Sequence, residues 1–320
     1  MFKIDFIIPY YGTLPDYTPL FVKSCEYSPD MRFLIFTENP ISIKLPDNVE
    51  NVVLSLENFQ QLASTKLMLK CAVSSSIKIC DFRPAFGKIF EDYIDASYWA
   101  HIDLDTIVGQ LNEYLEKIEY TKYDVVSGWK NHVCGPFTIY RNSKKINALF
   151  KESPDYKKVF SSPKYFFFDE CSRHIDPNKF VYDEVNETED IFQVPTQTFS
   201  ITHVVKKLQN SEDIICHFGL PRIAETIDRN QYIVFDKGKL LKKSTSDVMH
   251  NYEIMLFHFI RLKKQVSFAF PDWNNVADKF YYDRFGFYTD LYQKPNGLKE
   301  CLFDITTILL KIKNKILRFL

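Results

Sequence analysis

The sequence predicts an α/β fold, a mostly parallel, Rossmann-like central sheet flanked by helices, with a C-terminal extension that ends in an amphipathic helix. Three observations lead there. Short β-rich apolar runs alternate with segments of helical spacing from Met1 to about Leu149, as in sheets covered by helices on both faces. The chain has 320 residues, 46% of them hydrophobic and 25% charged, which is enough to bury a large core. The last segment, DITTILLKIKNKILRFL, puts Ile305, Ile308, Leu309, Ile312 and Ile316 on one helical face and Lys311, Lys315 and Arg318 on another.

In chain order, Phe2 to Pro9 reads as the first strand, and LPDYTPLFVKSCEY follows with helical spacing at Leu20 and Phe21. Met31 to Thr37 and Asn51 to Leu56 are the second and third strands. Asp81 is placed to cap a helix over DFRPAFGKIFEDYI, whose Phe82, Phe86, Ile89, Phe90 and Tyr93 share one face. Pro84 would fall in its first turn, where a missing N–H costs little. Tyr98 to Ile102 is a strand that ends at Asp103 and Asp105. GQLNEYLEKI reads as a short helix, YDVVSG as a strand, and CGPFTIYRN as another strand leading into a helix capped by Asn142 or Ser143. Farther on, YFFFDE is an apolar run ending in Asp169 and Glu170, and an acidic loop, DEVNETED, follows. QYIVFDKGKLLKK reads as a hairpin turning at Asp236 to Gly238, Tyr252 to Lys264 as a strand carrying His258, and PDWNNVADKFYYDRFGFYTD as an aromatic loop.

Composition removes several classes of function. With 40 Lys and Arg against 41 Asp and Glu, the net charge of -1 gives no global field to attract nucleic acid. The 29 Phe and 19 Tyr suit either a Phe-rich core or sugar-stacking surfaces. Seven cysteines, odd in number and without a C-x-x-C pair, fit free thiols in a reducing cytoplasm. The N-terminus lacks the features of a signal peptide, and no uninterrupted apolar run reaches the length of a spanning helix.

The D-x-D triplet of Asp103 and Asp105 is a weak signal alone, but the strand before it places it at a carboxyl end, where α/β sheets bind ligands. Two carboxylates so close repel each other unless a cation joins them, and oxygen ligands suit Mg²⁺ or Mn²⁺. Such a metal would hold a diphosphate and neutralise its charge as it leaves, which is the chemistry of transfer from a nucleotide sugar. His258 offers a nitrogen ligand, with Arg261, Lys263 and Lys264 near it for the diphosphate, although a lone His on an apolar strand is also a common core residue.

Taken in order, IIPYYGTLPDYTPLFVKSCEYSPDMRFLIFT, KICDFRPAFGKIFEDYI, YWAHIDLDTIVGQL, GPFTIYRN and LFHFIRLKK resemble the bacterial GT-A-type glycosyltransferases of capsule and O-antigen gene clusters. The resemblance covers most of residues 1–265 and implies a GT-A-like sheet, a metal on the D-x-D, and sugar transfer from a nucleoside diphosphate donor, usually a UDP-sugar. It divides the chain into a domain over 1–265, with a nucleotide-sugar half to about 150 and an acceptor and metal-completing half over 151–265, followed by the aromatic loop and helix of 266–320. By that resemblance Pro9, Tyr10 and Tyr11 line the nucleotide pocket, Asp81 and Arg83 sit near the donor, and Asp103 touches the ribose or a metal-bound water. Asp105 then binds the metal and His258 completes its shell. The family's late block has a polar residue and a Lys-Arg pair after His-Phe; here Ile260 precedes Arg261, so Lys263 or Lys264 can take the phosphate role. Asp81 also reads simply as a helix cap and Arg83 as a solvated first-turn residue.

Asp169 and Glu170, after their apolar run, suit a carboxyl with a raised pKa that serves as base to an acceptor hydroxyl, or else the charged start of a helix. Trp129 and His132 suit an acceptor surface. The C-terminal helix either lies on the inner face of the cytoplasmic membrane, near a lipid-linked acceptor, or docks on its own domain. The reading is therefore a cytoplasmic or peripheral hexosyltransferase of surface-polysaccharide synthesis, acting on a glycan or lipid-linked oligosaccharide. Two rivals stand beside it: a haloacid-dehalogenase-type phosphatase with Asp103 as nucleophile and Asp105 as acid and base, and a sugar-binding protein that keeps the fold without the chemistry.

Overall fold

The computed structural model describes residues 2–172, 189–220, 223–228, 230–245, 251–260, 262–263, 268, 270, 275–290, 305 and 309. The chain forms two compact units, each made of several chain segments. The first comprises Met1–Leu14, Pro29–Leu104 and Asn112–Pro221, the second Pro15–Ser28, Asp105–Leu111 and Arg222–Leu320.

The first unit is built on a seven-stranded sheet of β1 (Ile4–Pro9), β2 (Met31–Thr37), β3 (Val49–Val53), β4 (Tyr98–Ile102), β6 (Val125–Ser127), β7 (Phe137–Arg141) and β8 (Cys216–Phe218), in the order β3-β2-β1-β4-β7-β6-β8. Only β7 runs against its neighbours, so the expected mostly parallel α/β sheet is what the chain forms. Its inner strands β1 and β4 are buried along nearly their whole length because both faces are covered, and they are apolar apart from the buried Asp5 and His101. The covering elements include α2 (Leu56–Leu67), α3 (Phe86–Ile89), α5 (Tyr156–Ser161) and α6 (Ile201–Asn210), while α4 (Leu111–Lys117) follows the boundary between the units along the chain. The abundant phenylalanines are core: Phe36 packs on Phe90 at 4.4 Å, Phe82 on Phe160 at 4.7 Å, and Trp99 stacks on Tyr140 at 4.4 Å.

Several boundaries differ from the sequence reading, each for a local reason. The third strand ends at Val53, because Ser55 caps α2 by accepting a hydrogen bond from the Asn58 N–H at 3.1 Å. Asp81 caps nothing. It lies inside a 3₁₀ segment, Ser76–Ala85, that also contains Pro84 and precedes α3. Its carboxylate turns inward, accepting from the Phe166 N–H at 3.0 Å, the Phe168 N–H at 2.8 Å and the Lys78 ammonium at 2.7 Å. After β7 comes a 3₁₀ segment, Ile146–Glu152, entered through Ser143, while Asn142 donates instead to the Ala96 carbonyl. Asp169 and Glu170 start no helix; the chain there is a turn with Phe167 in the left-handed region.

In the second unit β13 (Leu256–His258) lies between β5 (Thr106–Val108), antiparallel to it, and β9 (Ile223–Ala224), parallel to it. A separate antiparallel sheet runs β12-β11-β10-β14-β15, from β10 (Gln231–Asp236), β11 (Lys239–Ser244), β12 (Tyr252–Ile254), β14 (Lys279–Asp283) and β15 (Gly286–Tyr288). The expected hairpin is present, with Asp236 opposite Lys239. The expected single strand over Tyr252 to Lys264 is split at Met255 into β12 and β13, which belong to different sheets, and the expected aromatic loop contains β14 and β15. Helix α1 (Thr18–Cys25) braces β5 through the Ser24 hydroxyl, which accepts from the Val108 N–H at 3.0 Å. Of the C-terminal helix, Ile305 and Leu309 are described, as helical and exposed; its other residues lie outside the described ones. No described helix is long and apolar enough to cross a membrane.

The knot beneath Asp169 is a fully buried ion pair, since Lys78 also donates to the carbonyls of Val159 and Lys164, each at 2.7 Å. Replacing Lys78 by Met leaves the Asp81 charge buried and unpaired. We expect Lys78→Met to lose about 3–5 kcal/mol of stability, read as a lower urea midpoint.

Candidate functional site

Register places the first group of side chains. In the second unit His258 pairs with Thr106 across β13 and β5, and the Phe259 N–H donates to the Asp105 carbonyl at 3.1 Å, so His258 is brought beside Asp105. The His258 Nε2 stands 3.4 Å from the Asp105 Oδ2. On the other side of β13, Phe257 pairs with Ala224 of β9, which carries the next residue, Glu225, to His258. The Glu225 carboxylate lies 2.7 Å from the His258 Nδ1 and holds the ring with Nε2 turned to Asp105. His258 is buried as a core residue would be, yet both of its nitrogens face carboxylates. The Lys263 ammonium reaches the same Asp105 oxygen at 2.6 Å and lies over the Tyr17 ring. Burial alone would push the Asp105 carboxyl up, but His258 and Lys263 outweigh it and hold the group well below the usual carboxylate range.

In the first unit a second group forms around Arg83. Its guanidinium bridges two carboxylates, pairing with Asp103 and, at 2.8 Å, with the Asp169 Oδ2. The Asp103 N–H donates to the Pro136 carbonyl at 3.1 Å, just before β7. The neighbouring Glu170 accepts from the Gly135 N–H at 2.9 Å. Glycine is required at 135 because a Cβ would stand 2.3 Å from the Glu170 Oε1 and 2.9 Å from the Arg83 Nη1. Burial pushes the Asp169 carboxyl well up, Arg83 opposes the rise, and Glu170 adds to it. Arg83 is thus no solvated first-turn residue; its side chain is 15% exposed and doubly paired.

The remaining sequence candidates are placed as follows. Pro9 and Tyr10 are half-buried at the carboxyl end of β1, whereas the Tyr11 ring is in the core against Phe59. Asp81 is wholly buried and spent on Lys78 and two backbone amides. Trp129 is half-buried in the loop after β6, 6.3 Å from the buried His132 ring, whose Nδ1 meets the Asn131 side chain at 2.6 Å. Arg261 and Lys264 lie outside the described residues. Sequence reading missed Glu225 and Gly135. Glu225 follows a two-residue strand that leaves almost no periodicity, whereas Gly135, standing just before a clear strand, was open to the question of why the backbone needed glycine there.

Removing Arg83 takes away the cation that opposes the burial of Asp169, so the folded pKa of that carboxyl moves still further above its unfolded value. Such a group favours folding as it takes up a proton, so the penalty shrinks as pH falls. Arg83→Gln is expected to cost about 3–5 kcal/mol at pH 8 and clearly less at pH 5, as read from urea melts at both.

Among known proteins, no curated protein matches the chain. Among the many solved structures that resemble part of it are two sugar transferases. One is the galactosyltransferase LgtC in complex with donor and acceptor sugar analogs, 13% identical over 49% of this chain and 64% of that one, with a TM-score of 0.32. The other is the glycosyltransferase GlyE of Streptococcus pneumoniae TIGR4, 10% identical over 48% of this chain and 38% of that one, with a TM-score of 0.29. The chain thus spans less than two thirds of the length of either. The family of unknown function DUF6625 matches residues 6–285, most of the sequence, and the chain belongs to that family.

Proposed function

We propose that this chain is a metal-dependent glycosyltransferase that moves a sugar from a nucleoside diphosphate donor, a UDP-sugar by the sequence resemblance, to a glycan or lipid-linked acceptor of a bacterial surface polysaccharide. The observation that carries the reading is the line Glu225–His258–Asp105. A carboxylate on Nδ1 fixes the imidazole tautomer and leaves Nε2 aimed at a second carboxylate, the arrangement in which protein imidazoles ligate metals. Within the second unit the donor set, a carboxylate oxygen of Asp105 and the imidazole nitrogen of His258, fits a divalent ion of the Mn²⁺ or Mg²⁺ kind, and the D-x-D sequence offers Asp103 as a further oxygen donor. Bound there, the metal would supply charge stabilisation to a departing diphosphate.

The chain's own residues have separable parts in this reading. Lys263 neutralises Asp105, and its flexible stem would let the ammonium turn to a phosphate oxygen of the donor. Arg83 holds Asp169 and Asp103 in place, and Asp169, its pKa raised by burial, is suited to exchange a proton with a hydroxyl. Glu170 is fixed by Gly135. Pro9 and Tyr10 stand at the strand end where the base would lie. The phosphatase alternative needs a later Gly-Asp-x-x-x-Asp to complete its metal site, and the sequence contains none.

Thermal melts with nucleoside diphosphates, their sugars and Mn²⁺ test the reading. UDP with Mn²⁺ should raise the melting temperature of the wild-type protein and leave that of Asp105→Ala unchanged; an equal shift in the variant removes the metal, and no shift with any nucleotide removes the transferase. Glu225→Gln should weaken Mn²⁺ binding about 10–100-fold while His258 stays in place, measured by titration calorimetry.

A further inference from the structure

The carboxyl ends of β6 and β8 lie side by side, since Ser127 pairs with Phe218, and the loop after β6 returns to that edge. The Gly219 N–H donates to the Trp129 carbonyl at 2.8 Å, and the Lys130 chain lies across Gly219, its Cγ 2.8 Å from where a Cβ would stand. From α6, Lys206 extends over the Phe218 ring with its ammonium 3.6 Å from the ring centroid. Lys206 is half-buried, and among the described residues no carboxylate pairs with it. Burial pushes its pKa down, and only the Cys216 thiol works in the other direction. A half-buried ammonium, unpaired among the described residues and held over Phe218, whose neighbour Gly219 is bonded to the Trp129 carbonyl at the ligand edge of the sheet, is short of a negative charge.

We propose that Lys206, with Trp129 and Phe218, forms a binding site for an anionic sugar, one bearing a carboxylate or a phosphate. The Trp129 ring offers an apolar face to the sugar, and Lys206 pairs with its charge. Phe218 holds the ammonium by cation–π attraction until the anion arrives. The proposal rests on the transferase reading only in making this sugar the acceptor; the binding itself requires neither donor nor metal.

Saturation-transfer NMR on the full chain, with methyl glucuronide, glucose 6-phosphate and methyl glucoside as probes, tests it. The wild-type protein should bind at least one charged sugar tenfold more tightly than the glucoside, with saturation reaching that sugar's ring protons. The stronger of the two charged probes assigns the anion. Lys206→Gln should abolish the preference, Lys206→Arg should keep it, and Trp129→Ala should weaken all three. Equal binding of the three probes by the wild-type protein overturns the proposal without any variant, and so does a preference that survives in Lys206→Gln. Because no nucleotide is present, this result and the nucleotide–Mn²⁺ melt fail independently.

Discussion

A carboxylate taken out of water has to be met by a cation or by fixed donors where it stands, and four of the five buried aspartates among the described residues meet that condition with side-chain cations. Asp5 takes Arg32, with Nε at 2.9 Å, together with the backbone amides of Asp95 and Ala96. Asp81 takes Lys78 and two amides, Asp169 takes Arg83, and Asp105 takes Lys263 and His258. Each pairing ties together pieces of chain that the sequence keeps apart. Asp5 fastens β1 to the turn before β4, and Asp81 fastens the 3₁₀ segment to the turn that presents Asp169.

The four fall into two kinds. Asp5 and Asp81 are closed, because backbone amides fill lone pairs that no ligand can then reach. Asp105 is compensated by side chains, and one of them is a lysine whose ammonium can leave without breaking the backbone. Asp169 shares its cation with Asp103. A carboxylate whose partner can be exchanged is chemically available, whereas one saturated by amides is structural. This difference separates Asp81 from Asp105 more firmly than burial does, since both are nearly inaccessible.

The same distinction explains what could be read from the sequence. The first, second and fourth strands were legible because a continuous apolar run is local information, and so was the D-x-D at the end of one of them. The hairpin at Lys237 and Gly238 was legible for the same reason. The split of Tyr252 to Lys264 at Met255 was not, because which sheet a strand joins depends on partners elsewhere: β11 for one half, β5 and β9 for the other. Asp81 misled because an aspartate before a helical pattern looks like a cap whether its carboxylate turns toward the helix amides or toward a loop 85 residues on. His258 could be named as a candidate from its type and neighbours, but the residue that orients it could not, since Glu225 arrives through the register of a short strand.

Asp103 and Asp105 differ more than their spacing suggests. Residues two apart in an extended strand share a face, and that expectation is what makes a D-x-D look like one cluster of charge. Here the backbone changes partners between them. Asp103 follows β4 and is anchored to the Pro136 carbonyl, while Asp105 leads into β5 and is anchored by the Phe259 amide. Each aspartate therefore acquires its own counter-ion, Arg83 for the first and Lys263 for the second. On the metal-dependent reading proposed above, an ion would have to compete with Lys263 for the Asp105 oxygen rather than fill an empty charge. It should then bind less tightly than it would to an unpaired carboxylate, and more tightly when a diphosphate gives that ammonium somewhere to go.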